Sequence, residues 1–168
     1  NYPTVMSKAA GELSFEENFE SKEEFLKSLA AIYWGNSRAK SVADVWKSFE
    51  GSYRNYPLNV MFSYYGPMHD GVVWKLALKP RNFNLPRSWQ TLDPIDGDRI
   101  GEALLNGHTL EEVLKLSENM CQFWSEGMAI LNHLNADSHD TEQEISLANA
   151  LHILLKSGRA ILECFFLR

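Results

Sequence analysis

Three acidic residues crowd into the stretch "DPIDGD": Asp93, Asp96 and Asp98. Carboxylates at that density offer the hard oxygen ligands that calcium takes. Their spacing is not that of an EF-hand loop, however, and no glutamate closes the run at the required distance. Turn formation and helix capping account for the same residues. A second cluster, "HLNADSHD", holds His133, Asp137, His139 and Asp140. Zinc accepts such ligands, but the segment reads as the turn between two long helices, where polar residues belong in any case. Neither cluster leads us to expect a metal or any other cofactor. His152 stands beside an apolar seam with no orienting partner in sequence, and a single histidine of that kind makes no general base. The 22 acidic residues fall mostly at helix starts and on polar faces. No two of them stand out as the carboxylate pair that glycoside hydrolysis needs. There is no G-x-S-x-G element, phosphate loop or Cys-His arrangement. No catalytic residue is therefore expected within this chain.

The aromatic stretch "NYPLNVMFSYYGPMHDGVVWKL", residues 55–76, is the remaining candidate. Tyrosine and tryptophan rings can stack on sugar faces while keeping a polar handle. They can equally fill the space between helices. Tyr56, Phe62, Tyr64 and Trp74 read as such packing residues. Tyr65, His69 and Asp70 lie near the tip of the stretch and are the expected binding residues, because contact groups concentrate where a loop projects from a scaffold. Leu58, Val60, Phe62 and Tyr64 alternate with more polar neighbours, as do Val72, Trp74, Leu76 and Leu78. Gly66, Pro67 and Gly71 lie between the two runs, so a hairpin is possible in principle. Two strands alone are marginal and would need helices behind them. An ordered but irregular apolar loop fits the same residues.

The rest of the chain is helical in pattern. "SKEE" at Ser21–Glu24 has the form of a capping box. Phe25, Leu26, Leu29, Ile32 and Tyr33 follow at helical spacing, and Gly35 stops the run. Ser41 is the next N-cap candidate, followed by a stripe of Val42, Val45, Trp46, Phe49 and Tyr53 that Pro57 closes. Pro80 to Pro94 reads as a long loop, and Ile100–Leu105 as a short helix closed by Asn106-Gly107. Thr109 should cap a long helix, with Glu111 and Glu112 suiting its positive end. Its broad apolar face carries Leu110, Val113, Leu114, Met120, Cys121, Trp124, Met128, Leu131 and Leu134. The last helix repeats Ala148, Leu151, Leu155, Gly158, Leu162 and Phe165 at steps of three and four, the spacing of an antiparallel or coiled seam. Helices around Ser41–Arg54, Thr109–Asn135 and Glu142–Arg168 are expected to pack together. The predicted fold class is mainly α: an antiparallel helical bundle with a small extended or hairpin-like aromatic insertion around residues 56–79.

Composition narrows the partners. The 168 residues suit one domain, and the hydrophobic and charged fractions of 45% and 23% are those of a globular protein. The net charge of −6 comes without any lysine/arginine stripe, so nucleic acid is not an expected partner. No apolar run reaches the ~18 residues of a membrane span, and no membrane partner is expected. Cys121 and Cys164 lie far apart in apolar helical contexts and read as two thiols rather than a disulfide. The chain opens on Asn1 without a methionine. It closes on Arg168 directly after "AILECFFL", with no residue to stop the helix. We therefore expect a single helical domain, 1–168, cut from a longer chain.

Three segments carry a resemblance: "SVADVWKSFEGSYRNYPLNVMFSYYGPMHDG", "MCQFWSEGMAIL" and "ALHILLKSGRAILECFFLR". Their order is similar to the C-terminal helical region of large bacterial glycoside-hydrolase-like proteins. There a Trp/Phe helix leads to a Y-x-G-P segment, a W-x-x-G helix follows, and the last helix ends in an aromatic-Leu-Arg run. Trp46 and Phe49, Tyr56-Pro57, Tyr65-Gly66-Pro67, Trp124 with Gly127, and Phe165 through Arg168 take those places. The resemblance covers roughly residues 40 to 168. It implies an accessory helical domain whose partners are a neighbouring catalytic domain of the same polypeptide and, through the aromatic stretch, carbohydrate. The hydrolase chemistry would sit in that neighbouring domain. The turn here, "GPMHDGVVW", is shorter than the Gly/Asn/Pro-rich turn of the pattern, which puts sugar contact by the turn in question. The alternative is a free-standing helical protein-interaction module.

Overall fold

A computed structural model describes residues 9–11, 21–57 and 108–167. The protein is mainly α. Four helices, α1 (Lys22–Trp34), α2 (Ala39–Arg54), α3 (Leu110–Leu131) and α4 (His139–Leu167), pack against one another, and a helical turn lies at 9–11. There is no strand among the described residues. The expected insertion at 56–79, the loop from Pro80 to Pro94 and the helix at Ile100–Leu105 lie outside the described residues, except for Tyr56 and Pro57.

Each helix starts for a local reason. Ser21 Oγ accepts from the Glu24 N–H at 3.2 Å, the first half of the anticipated box. Gly35 ends α1 at φ +79°, a conformation that costs other residues a clash with their own Cβ. The tight turn that follows, with Arg38 N–H donating to Gly35 O, lets α2 begin at Ala39. Ser41 is therefore not the cap: it lies inside α2, and Arg38 holds the cap position without a side-chain bond. α3 opens on a complete capping box, in which Thr109 Oγ1 accepts from Glu112 N–H and Glu112 accepts from Thr109 N–H at 2.8 Å. α4 begins at His139, earlier than Glu142. Ser138 Oγ accepts from Thr141 N–H at 3.2 Å, Thr141 Oγ1 accepts from Ser138 N–H at 3.1 Å, and Thr141 is itself buried.

Neighbouring helices run antiparallel, as the register of their contacts shows. Along α2 and α3, Arg38 meets Asn135 and Ser52 meets Met120. Between α3 and α4, Trp124 meets Ala148 while Glu118, nearly two turns earlier, lies near Arg159. Lys22 and Lys47 of α1 and α2 reach Glu50 and Glu23 across that pair. The most extensive packing is α2 on α3, followed by α3 on α4 and α1 on α2. One core joins all four helices through Trp34, Val42, Val45, Val113, Met120, Trp124, Met128, Leu131, Leu155 and Leu162.

Two stripe assignments shift by one residue, and the stripe of α4, buried at Ala148, Leu155, Gly158 and Leu162 as expected, gains one. In α1 the inward residues are Phe25, Leu29, Ala30 and Trp34, while Ile32 is 68% exposed. In α2 the seam position after Phe49 belongs to Ser52, and Tyr53 is 54% exposed. The cause is how closely α2 and α3 approach. Ser52 Oγ donates to the Met120 carbonyl at 2.8 Å, a contact that leaves no room for a ring. In α4, Leu151 and Phe165 are only half-buried at the edge of the seam, and Ile161 takes a fully inward place.

Candidate functional site

At one end of the packed helices, polar side chains from four segments converge. Trp34 is wholly buried, so its indole N–H must find an acceptor within the protein. It donates to Glu144 Oε2 at 2.8 Å, and Trp46 donates to Glu144 Oε1 at 2.7 Å. One carboxylate of α4 thus joins α1 and α2, each oxygen taking one indole. Arg38 stands beside this pair, its guanidinium 5.9 Å from the Trp34 ring. Its Nε donates to Trp34 O and its Nη1 to Asn135 O, both at 2.6 Å, and its Nη2 donates to Asp137. The Arg38 bond holds the Asp137 carboxyl below the usual aspartate range. The cluster is a clamp: its acceptors are taken up in holding the α1–α2 turn against the α3–α4 turn.

That geometry also places side chains of "HLNADSHD". Asp137 is drawn to Arg38, and His139 shares a contact of 2.9 Å with Gln143 one turn on. Among the described residues, no group of three or more His, Cys, Asp or Glu side chains is placed to hold a metal ion. Asp93, Asp96 and Asp98 lie outside the described residues.

His152 is the core-edge histidine that its position suggested. Its Nε2 lies 3.1 Å from Ser125 Oγ, and Ser125 Oγ donates its own proton to Cys121 O at 2.7 Å. A hydroxyl has one proton, so with that proton on Cys121 O the ring nitrogen of His152 is the donor in this pair. In that arrangement the ring does not accept the serine proton, as a general base would have to. Burial, then the nearby Lys156 charge, lowers the His152 pKa, which favours the neutral ring. Burial pushes the Cys121 thiol up, away from the reactive thiolate. Both cysteines are free thiols.

The middle of the α2–α3 seam is aromatic. Phe49 and Trp124 stack with centroids 4.0 Å apart and planes 13° off parallel, and Tyr53 meets Trp124 edge-on at 5.8 Å. Gly127 makes the approach possible. A Cβ there would lie 2.6 Å from Phe49 Cε1 and 3.2 Å from Ser48 Cβ. Trp46, Phe49, Trp124 and Gly127, quoted above for the resemblance, therefore all belong to the clamp or the seam.

Tyr65, His69 and Asp70 lie outside the described residues. The two ends of their segment are well placed, however. Asn55 Nδ2 donates to Gly51 O at 2.8 Å, Asn119 Nδ2 donates to Asn55 Oδ1 at 3.2 Å, and Pro57 is fully buried. On the far side, the capping box at Thr109 fixes the start of α3. Because α2 and α3 are antiparallel, Pro57 and His108 lie at the same end of that pair. Sequence reasoning missed Trp34, Arg38 and Glu144. The available signal was the rule that a buried indole needs an acceptor, but nothing in the spacing says which of 22 acidic residues supplies it.

Fold and site together define a mainly α-helical protein whose described polar groups hold helices to one another. No protein-family model, curated protein or solved structure matches the chain.

Proposed function

We propose that this chain is an accessory helical domain of a bacterial carbohydrate-active enzyme of the glycoside-hydrolase-like kind. It packs on a catalytic domain of the same polypeptide and carries the aromatic stretch with Tyr65, His69 and Asp70 toward the rim of the substrate cleft. The antiparallel bundle with an aromatic insertion at 56–79 is the architecture that this reading requires. The observation that carries it is the placement of buried Pro57 and the Thr109 capping box, the residues flanking 58–107, at one end of the α2–α3 pair. A rigid scaffold holding both ends of an aromatic segment is a common way to present a contact surface. The order of the Trp/Phe, Tyr-Gly-Pro and Trp-x-x-Gly elements supports the carbohydrate setting.

The test is calorimetric titration with oligosaccharides of the chain alone and of a longer polypeptide that includes the neighbouring domain. Weak binding or none is expected for the chain alone. Tighter binding is expected for the longer polypeptide, reduced at least tenfold by Tyr65→Ala. Unchanged binding in Tyr65→Ala would contradict the role of the stretch. Submillimolar binding by the chain alone, abolished by Tyr65→Ala, would make it a carbohydrate-binding module in its own right.

A second reading, a free-standing protein-interaction module, is favoured by a different observation. The outward side of α4 is apolar, with Ile153 63% and Leu167 77% exposed.

A further inference from the structure

α4 carries apolar residues on two opposite sides. Its inward line runs through Ala148, Leu155 and Leu162. On the other side Ala150, Ile153, Ser157, Ala160, Cys164 and Leu167 succeed one another at alternating steps of three and four, the spacing of a coiled-coil seam. Ala150, Ile153, Ala160 and Leu167 are exposed, and Ser157 and Cys164 are half-buried. A helix with an apolar stripe on its outer side has a second surface to bury.

We infer that this stripe binds a second copy of the same chain, with the two α4 helices antiparallel about a twofold axis close to Ser157 and Ala160. A symmetric interface must be complementary to itself, and this stripe is so when reversed. The register that sets Ser157 against the partner's Ala160 also sets Ile153 against the partner's Cys164 and Ala150 against the partner's Leu167. Two small residues then meet at the axis, and on either side a smaller residue faces a larger one. The same register brings exposed Lys156, on the flank, opposite the partner's Glu163, and symmetry repeats that ion pair on the other half. Parallel pairing would set Lys156 against the partner's Ile161 and leave this exchange unmade. Exposed ion pairs add little affinity, but they select register and orientation. The inference stands on α4 alone and does not depend on the carbohydrate reading.

The experiment is sedimentation equilibrium of the whole chain over a wide concentration range. The expected mass is 19.2 kDa on dilution, rising to twice that value at high concentration. Ile153→Glu should hold the mass at the monomer value throughout, with the helical circular dichroism unchanged because the side chain is exposed. Lys156→Glu and Glu163→Lys should each weaken the dimer roughly threefold to tenfold, since each creates two like-charge contacts. The double variant should recover the original constant. A chain that stays monomeric at every concentration overturns the inference, as does a dimer indifferent to Ile153→Glu. A dimer that the double charge exchange fails to restore overturns the antiparallel register.

Discussion

The two longest helices, α3 with 22 residues and α4 with 29, are built on different principles. α3 has one buried face, from Val113 through Met120 and Trp124 to Leu131, and an outer face of Glu111, Glu112, Lys115, Glu118, Gln122 and Glu126. α4 buries Ala148, Leu155 and Leu162 but also turns Ile153, Ala160 and Leu167 outward. Both contribute to the same core. α3 is sandwiched between α2 and α4, and apart from Phe123 and Ala129 its exposed face is largely polar. α4 lies at the end of the series α1–α2–α3–α4, with a side that none of the other three described helices packs against extensively.

The comparison can be broken first at the clamp. Glu144 ties the start of α4 to α1 and α2, and Glu144→Gln replaces one acceptor oxygen with an amide that can only donate toward an indole N–H. The buried Trp34 N–H or its Trp46 counterpart then loses its partner. We expect a loss of about 1–3 kcal/mol in urea melts. A loss within about 0.5 kcal/mol would mean that the two indoles are not held by this carboxylate.

Gly127 sharpens the view of α3 as the tightly sandwiched helix. Gly127→Ala places a methyl against the Phe49 ring, which the Trp124 stack prevents from moving aside. Overpacking costs about 1–3 kcal/mol, and the better helix propensity of alanine offsets roughly 1 kcal/mol of that. Gly51→Ala is the control. Its nearest neighbour is the Phe123 ring at 3.0 Å, but that ring is substantially exposed and can swing outward. Gly51→Ala should be near neutral, and equal costs for the two variants would mean that the seam is not tighter at Gly127.

The smallest effect concerns His152, where α3 and α4 touch. Its pKa is lowered in the folded chain, so the unfolded chain binds the proton more readily. The contribution of the neutral ring is then fully present above the ordinary histidine range, ~6.5, and is lost as the pH falls below it. His152→Gln should flatten the fall in urea midpoint between neutral and mildly acidic pH. An unchanged slope would place that titration elsewhere.

Much of the helical frame was legible in the sequence. The caps at Ser21 and Thr109 and the stop at Gly35 are local chemistry, fixed by residues within one turn, and they could be read directly. The errors have a common physical form. Ser41 was displaced as a cap because the turn set by Gly35 and Arg38 starts α2 earlier, which local pattern does not reveal. Ser52 outranks Tyr53 in the seam because α2 and α3 approach too closely for a ring, and interhelical distance is a tertiary quantity. Leu151 falls to the edge and Ile161 turns inward because α4 is apolar nearly all round, so periodicity alone cannot say which side faces the core. The Glu144 clamp was invisible for a different reason: Glu144 lies 110 and 98 positions from the two indoles it accepts from, Trp34 and Trp46.

The claim that α4 uses one apolar face inside the chain and keeps the other for an outside contact is tested most directly by two substitutions on that helix. Urea melts of Leu162→Ala and Ile153→Ala should be compared at several protein concentrations. Leu162 is wholly buried, so Leu162→Ala should cost about 2–5 kcal/mol at every concentration. Ile153→Ala should cost under about 0.5 kcal/mol in dilute solution and more as the concentration rises. A large, concentration-independent cost for Ile153→Ala would contradict the account, because it would show that the outer face of α4 is already covered by the chain itself.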